Sequence, residues 1–242
     1  KTNNGLGKVV LESHSIYRYD FASKVDFIRW LERNDTQKSE IQPTAKAFVS
    51  QRNRLKVLFH GKLKDSMIIR SYSNNPEEPD SVHIRSANDL VIPGSSFKGA
   101  LRNRAERITF TLGKGNDLVS DLFGFVKVNK RIENARKGRL QVNETILPEM
   151  TSEIQHRIKI DRFTGGTVNS ALFDSKPIFE DSGQTNQFEI TVKNPRQEDL
   201  GLLLLVLKDL WCGDLAVGGE KNVGRGVFDG QTIDLEYYEP GK

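Results

Sequence analysis

The sequence predicts an α+β fold whose elements follow the order strand, helix, strand, strand, helix, strand, and three stretches carry the prediction. Leu55, Val57, Phe59 and, after Gly61, Leu63 alternate with polar neighbours, the period of a half-buried strand. Phe97, Ala100, Leu101, Ala105 and Ile108 recur at helical spacing, and Arg102, Arg104 and Arg107 fall largely off that face. Leu200 to Leu210 is a strongly apolar helix, followed by a glycine-rich stretch and a closing strand that starts at Gly226-Val227-Phe228.

The first fifty residues read differently from the rest. Gly5 to Leu11 is a glycine turn leading into a strand, and Val25 to Arg33 is an amphipathic helix with Phe27, Ile28, Trp30 and Leu31 on one side. Asn34 to Pro43 is a polar linker. The main domain, residues 51–242, opens on the strand at Leu55, which Met67-Ile68-Ile69 extends; Asn74 to Pro79 is a loop. Serine before a helical stretch is an N-cap signal, so a helix is expected from about Phe97 to about Leu112. A short helix or turn covers Asp117 to Phe125, and strands are expected at Leu140 to Asn143 and at Phe188 to Val192. His156 to Phe179 lies between those two strands and is long for a loop, which is the signature of a functional insertion. The order is that of a ferredoxin-like core, which RNA-recognition domains share.

Composition excludes some classes. Lys plus Arg outnumber Asp plus Glu by 36 to 32. Cations concentrate at Lys98, Arg102, Arg104 and Arg107, and again at Lys127, Lys130, Arg131, Arg136, Lys137 and Arg139; such patches track phosphates. The longest apolar run, Leu202 to Leu207, is far short of the roughly 20 residues a membrane span needs. The polar start, Lys1 to Asn4, is unlike a secretory signal, and a single cysteine, Cys212, forms no intramolecular disulfide. A cytoplasmic protein is expected, with Cys212 in the apolar core.

Four segments carry chemistry. Ile92-Pro93-Gly94-Ser95-Ser96-Phe97-Lys98 sets two hydroxyls, backbone N–H groups and a lysine at a helix N-terminus, an anion-binding end. Gly218-Gly219-Glu220-Lys221-Asn222-Val223-Gly224-Arg225-Gly226 lets backbone amides approach a ligand closely, with Lys221 and Arg225 adding charge. It follows a helix rather than preceding one, and GxxxxGK[ST] is absent, so ATP hydrolysis is not expected. Asp161-Arg162-Phe163-Thr164-Gly165-Gly166 is a bend whose Phe163 either packs inward or stacks on a base. Asp80, behind Glu77 and Glu78, could hold a divalent cation or orient a 2′-hydroxyl.

Taken in order, IPGSSFKGALR, LFG, ARKGRLQV, IDRFTGGTVNSALF and GGEKNVGRG resemble the RAMP superfamily of CRISPR-associated proteins, in particular the repeated backbone subunit of type III effectors, from about residue 55 to about 235. The resemblance implies a ferredoxin-like core with a thumb-like hairpin inserted between the middle strands. It implies partners as well: guide RNA (crRNA), target RNA and further effector subunits or repeats. Ser95, Ser96, Lys98 and Arg102 would contact guide phosphates, with Gly218, Gly219, Lys221 and Arg225 against the same backbone. Arg162 and Phe163 would belong to the hairpin that displaces bases. Asp80, thirteen residues before Pro93, would be the residue that cuts target RNA, and would bind a divalent ion, Mg or Mn. Ser81 and Val82 follow Asp80, similar to the family's aspartate–serine–proline–valine run, of which the proline is missing here.

Two other roles follow from the same resemblance. One is a non-catalytic backbone repeat. The other is an endoribonuclease that matures the guide precursor, with His83 or His156 as acid or base and His60 less suited. Asn4 to Val9 resembles Asn222 to Val227, so residues 1–12 are expected to be the tail of a preceding repeat and 13–50 a linker.

Overall fold

The computed structural model describes residues 12, 17–33, 39–40, 52–73, 75, 77–126, 135–148, 150–181 and 183–240. The glycine segment 4–11, expected to end a preceding repeat, and the basic run 127–131 lie outside the described residues. The chain forms two compact units, residues 8–50 and residues 1–7 with 51–242.

In the smaller unit, helix α1 (Lys24–Leu31) starts behind Ser23, whose hydroxyl accepts the Asp26 N–H, the usual role of an N-cap serine. Phe21 packs edge-on against both Phe27 and Trp30. Tyr17–Arg18 pairs antiparallel with Ser39–Glu40.

The larger unit is mixed α+β. Its principal strands are β1 (Arg54–Leu63), β2 (Ser81–His83), β3 (Leu140–Val142), β4 (Gln155–Ile160), β5 (Thr167–Lys176), β6 (Asn186–Lys193) and β7 (Phe228–Tyr238). Its helices are α2 (Gly94–Thr111), α3 (Asp117–Phe123) and α4 (Gln197–Trp211). The central sheet runs β3-β6-β1-β7 with every neighbouring pair antiparallel.

Strict alternation in β1 and β6 sends Leu55, Val57, Phe59, Phe188, Ile190 and Val192 to one face. Helices α2 and α4 cover that face with Phe97, Leu101 and Ala105 from one and Leu203, Val206, Leu207 and Leu210 from the other. Phe188 is the hub, with ring centroids 4.6 Å from Phe97, 5.1 Å from Phe228 and 5.9 Å from Phe59. Burying each such ring contributes about 1.5–3 kcal/mol, which fixes the helices on this side.

The opposite face of the sheet carries Lys56, His60 and Lys62 from β1 and Asp234 and Glu236 from β7. Lys56 pairs with Glu236 at 3.5 Å and His60 with Asp234 at 3.3 Å. A charged, cross-paired face offers few rings on which bases could stack.

Two local expectations change, at Met67–Ile69 and at Cys212. Only Ser66–Met67 of the segment after β1 is a strand; Ile68 and Ile69 are buried outside it. The stretch 156–179, long for a loop, is mostly an antiparallel hairpin, β4–β5, in the place where the resemblance implied one; in it Ile158 faces Leu172 and His156 faces Asp174. Cys212 sits one residue past α4 and is exposed, because the buried stripe of α4 ends at Leu210.

Candidate nucleic-acid interface

Helix α2 begins directly behind Pro93, whose ring presets the chain for a helix start. Pro93, not a serine, holds the cap position: its carbonyl accepts the N–H groups of Ser96 and Phe97 at 3.0 and 3.1 Å. Ser95 and Ser96 therefore lie inside the first turn. No side chain caps this turn and no acidic residue lies in it, so its positive end is not neutralised from within the helix.

Ser96, Gly99, Ala100 and Asn103 form one wall of an open groove of about 690 Å³. Gly218, Gly219, Glu220 and Lys221 form the other wall, and Ile69 and Arg70 complete the lining. The two segments that the sequence marked for phosphate contact thus meet in one groove.

Backbone geometry holds the glycine ribbon. The Gly219 N–H donates to the Ile68 carbonyl at 2.7 Å and the Gly226 N–H to the Ser66 carbonyl at 2.7 Å. Gly218 has φ +97°, and a Cβ there would lie 2.5 Å from the Ile68 oxygen, so only glycine fits. Gly99, across the groove, is the reverse case: a Cβ there meets nothing within 4 Å.

Beneath the ribbon, Glu220 buries its carboxylate (6 % exposed) among three guanidinium groups. These are Arg70 at 3.3 Å, Arg157 of β4 at 3.0 Å and Arg225 at 3.0 Å. Two positive charges are in excess. Arg225 is 3 % exposed and also donates to Gln155, so it supports the ribbon from inside rather than facing the groove. Burial lowers its pKa, and Glu220 pulls the other way. Lys221 is exposed on the rim.

The hairpin tip is built by Asp161, whose side chain accepts the N–H groups of Phe163 and Thr164 at 2.8 and 2.9 Å. The turn closes where the Asp161 N–H donates to the Gly166 carbonyl at 2.9 Å. It projects Phe163 fully into solvent (100 % exposed), with Arg162 exposed beside it. An unsupported ring on a hydrogen-bonded turn is suited to stacking or wedging, not to core packing.

A family model for the RAMP superfamily matches residues 61–229. The chain belongs to the RAMP superfamily. RAMP membership makes it a CRISPR-associated, RNA-binding protein. No curated protein matches it significantly.

The other marked residues of this RAMP protein lie apart from the groove. Lys98 and Arg102 project from another side of α2, two and six residues beyond Ser96, at about 200° and 240° around the axis. The Lys98 ammonium donates to the Leu140 carbonyl at 2.8 Å, and burial, followed by Arg102 and Lys137, brings its pKa down to about 8. Arg102 donates to Glu106 and to the Gly124 carbonyl. Arg139, from the second basic run, is a staple between Asp121 and Asp199, at 2.7 and 2.6 Å.

Asp80 is exposed immediately before β2, whose Ser81 is the direct partner of Ser175 in β5. It stands at the foot of the hairpin, outside the groove lining. Among the described residues no three His, Cys, Asp or Glu side chains gather as a metal cage.

His83 is buried (4 % exposed). Its Nδ1 accepts the Ile69 N–H at 3.2 Å, and its Nε2 lies 3.0 Å from the Val91 carbonyl. Both ring nitrogens are engaged in the interior. His156 is exposed, with Nδ1 2.7 Å from Asp174 across the hairpin.

Burial holds the His83 pKa down to about 4, against the opposing hydrogen bond to Val91. The fold therefore keeps the neutral ring, while the unfolded chain takes up a proton below about pH 6.5. Stability is full above that value and is lost as pH falls from 6.5 towards 4. The expected loss traceable to His83 is about 3 kcal/mol. Urea unfolding at pH 7 and pH 4.5, compared with His83→Gln, checks this: an equal pH response in both proteins would show that His83 is not the titrating group.

Sequence reasoning did not find Arg70, Asn103 or Arg157. Arg70 follows an apolar triplet and Arg157 sits in a polar strand, and neither context signals that both converge on Glu220.

Proposed function

We propose that this RAMP protein holds guide RNA as a backbone subunit or repeat of a type III CRISPR effector, on a ferredoxin-like palm. The observation that carries the reading is the groove between the start of α2 and the glycine ribbon. The Ser96 hydroxyl, Arg70 and Lys221 all border it at the uncapped start of α2, and its one carboxylate is buried and over-neutralised. Such a surface binds phosphates without reading sequence. The strand order β3-β6-β1-β7, with helices on one face, supports the ferredoxin-like assignment. Phe163 on its hairpin supports contact with a base-paired target, whose sequence would be read by pairing to the guide. Other copies or subunits would continue the RNA track, in the cytoplasm.

Gly99→Glu tests the groove. The new side chain enters open space and helix propensity improves, so the fold is retained, while a carboxylate is placed where phosphates would lie. Affinity for single-stranded RNA should fall at least tenfold, about 1.4 kcal/mol, with an equal or higher melting temperature. Fluorescence anisotropy across a salt series reads both this loss and the steep salt dependence expected of phosphate contacts. Wild-type affinity in the variant would end the groove assignment.

Asp80 is the residue proposed to cut target RNA. One carboxylate completed by RNA phosphate oxygens is an ordinary magnesium environment, so Asp80 fits as a single protein ligand. When bound, a divalent ion would neutralise charge on the phosphate under attack. Asp80 itself, at the foot of the hairpin, stands beside the arm that would splay the bases.

A further inference from the structure

A second pocket, of about 310 Å³, opens on the sheet that carries the hairpin. Ser71 is the partner of Val82, and Val82 of Lys176, so these three lining residues stand in one row across adjacent strands. Leu90 and Ile178, both buried, join Val82 to give the pocket an apolar floor. Tyr72 stands at its rim, 89 % exposed. The lining cations are Lys176 and Arg85. The lining carboxylate, Glu78, is already engaged: it accepts the Ser73 hydroxyl and lies 3.6 Å from the Lys176 ammonium. The lining is therefore net positive.

Groove and pocket follow one another along the chain. Ile69 and Arg70 line the groove, and the next three residues, Ser71, Tyr72 and Ser73, line the pocket. Two residues of extended chain span at most about 7 Å, so Tyr72 is one short step from Arg70. An apolar floor beside an exposed ring suits a flat group with a π-face, not a bare phosphate. The volume lies at the small end of ligand pockets and fits one such group. The positive lining suits a group that arrives on an anionic strand.

We propose that this pocket takes a single unpaired nucleobase of bound RNA, stacked on Tyr72, from a nucleotide whose phosphate lies at Arg70 in the groove. The inference rests on the RNA-binding reading above. It adds a contact to a base face, which tolerates any sequence, to the contacts that the groove makes with phosphates.

The test measures binding of a dodecameric single-stranded RNA, and of an abasic ribose–phosphate strand of the same length, to the full chain. The proteins are wild type, Tyr72→Ala, Tyr72→Phe, Ser71→Leu and Gly99→Glu. Tyr72→Ala should bind the RNA about tenfold more weakly, the order of one lost base stack, with an unchanged salt slope because a stack releases no counterions. Its melting temperature should be that of wild type, since the ring is exposed. Tyr72→Phe keeps the ring and should stay within about twofold of wild type. Ser71→Leu, which fills the pocket, should match Tyr72→Ala. Binding of the abasic strand should be weakened by Gly99→Glu alone. Wild-type RNA affinity in Tyr72→Ala would overturn the pocket, whatever Gly99→Glu does. Equal losses on the abasic strand would overturn it too, by showing that no base is held. Full RNA affinity in Ser71→Leu beside a loss in Tyr72→Ala would put the base on the outer face of the ring and remove the pocket. Losses in Tyr72→Ala and Ser71→Leu with none in Gly99→Glu would keep the base pocket and remove the groove.

Discussion

Gly226→Ala is expected to destabilise the protein by about 4 kcal/mol, enough to threaten the fold. Gly226 has φ +73°, and a Cβ built there lies 1.8 Å from the Val217 carbonyl oxygen. Left-handed backbone costs a non-glycine residue about 1–2 kcal/mol. The overlap must also be relieved by moving backbone that is clamped on both sides. The Gly226 N–H donates to the Ser66 carbonyl at 2.7 Å, and its carbonyl accepts the Val217 N–H at 2.8 Å. Losing either bond in a buried place costs about 1–3 kcal/mol more. Gly99→Ala is the matched control: it meets open space in the middle of a helix and should gain about 0.5–1 kcal/mol. Urea unfolding reads both. A Gly226→Ala protein with the wild-type midpoint and slope would mean that the ribbon is not held as described.

Asp80→Ala should lose target-RNA cleavage by on the order of a hundredfold or more, since a metal-bound carboxylate is worth several kcal/mol to a phosphoryl transition state. The protein is assembled with guide, given labelled target and magnesium, and the products are resolved on a gel. Glu77→Ala, a neighbouring exposed carboxylate, should cleave normally. Undiminished cleavage by Asp80→Ala would leave a guide-holding repeat without chemistry at this position.

The parts of this protein that were legible in the sequence are those fixed by local periodicity. Alternation placed β1 and spacing at three and four residues placed α2, because each pattern is a direct record of which face is buried; α4 was legible as a strongly apolar run. The meeting of Ser96 with Gly218 and Gly219 was legible only through the family resemblance, which put both segments against one RNA backbone. The fate of the cations was not. Arg225 looked like a phosphate contact and is a buried strut; Arg139 looked like surface charge and is a staple to Asp199, sixty positions away. Ion pairing is decided by tertiary distance, on which neighbouring letters are silent. Ser95 and Ser96 were read as caps because serine before a helical stretch is a capping signal, yet Pro93 took the position through its own carbonyl. Cys212 and His83 were misjudged in opposite directions for one reason: each lies at the end of an element, where the buried stripe stops or the chain turns inward.

The carboxylate of Glu220 ties together three pieces of chain that are far apart in sequence. Arg70 comes from the short strand that pairs with β2 at the far edge of the hairpin's sheet, Arg157 from the projecting arm and Arg225 from the ribbon. One acidic group thus serves as a common anchorage, like the rivet of a pair of pliers. Neither the arm that carries Phe163 nor the jaw that closes on the first turn of α2 can swing without pulling on the other's mooring.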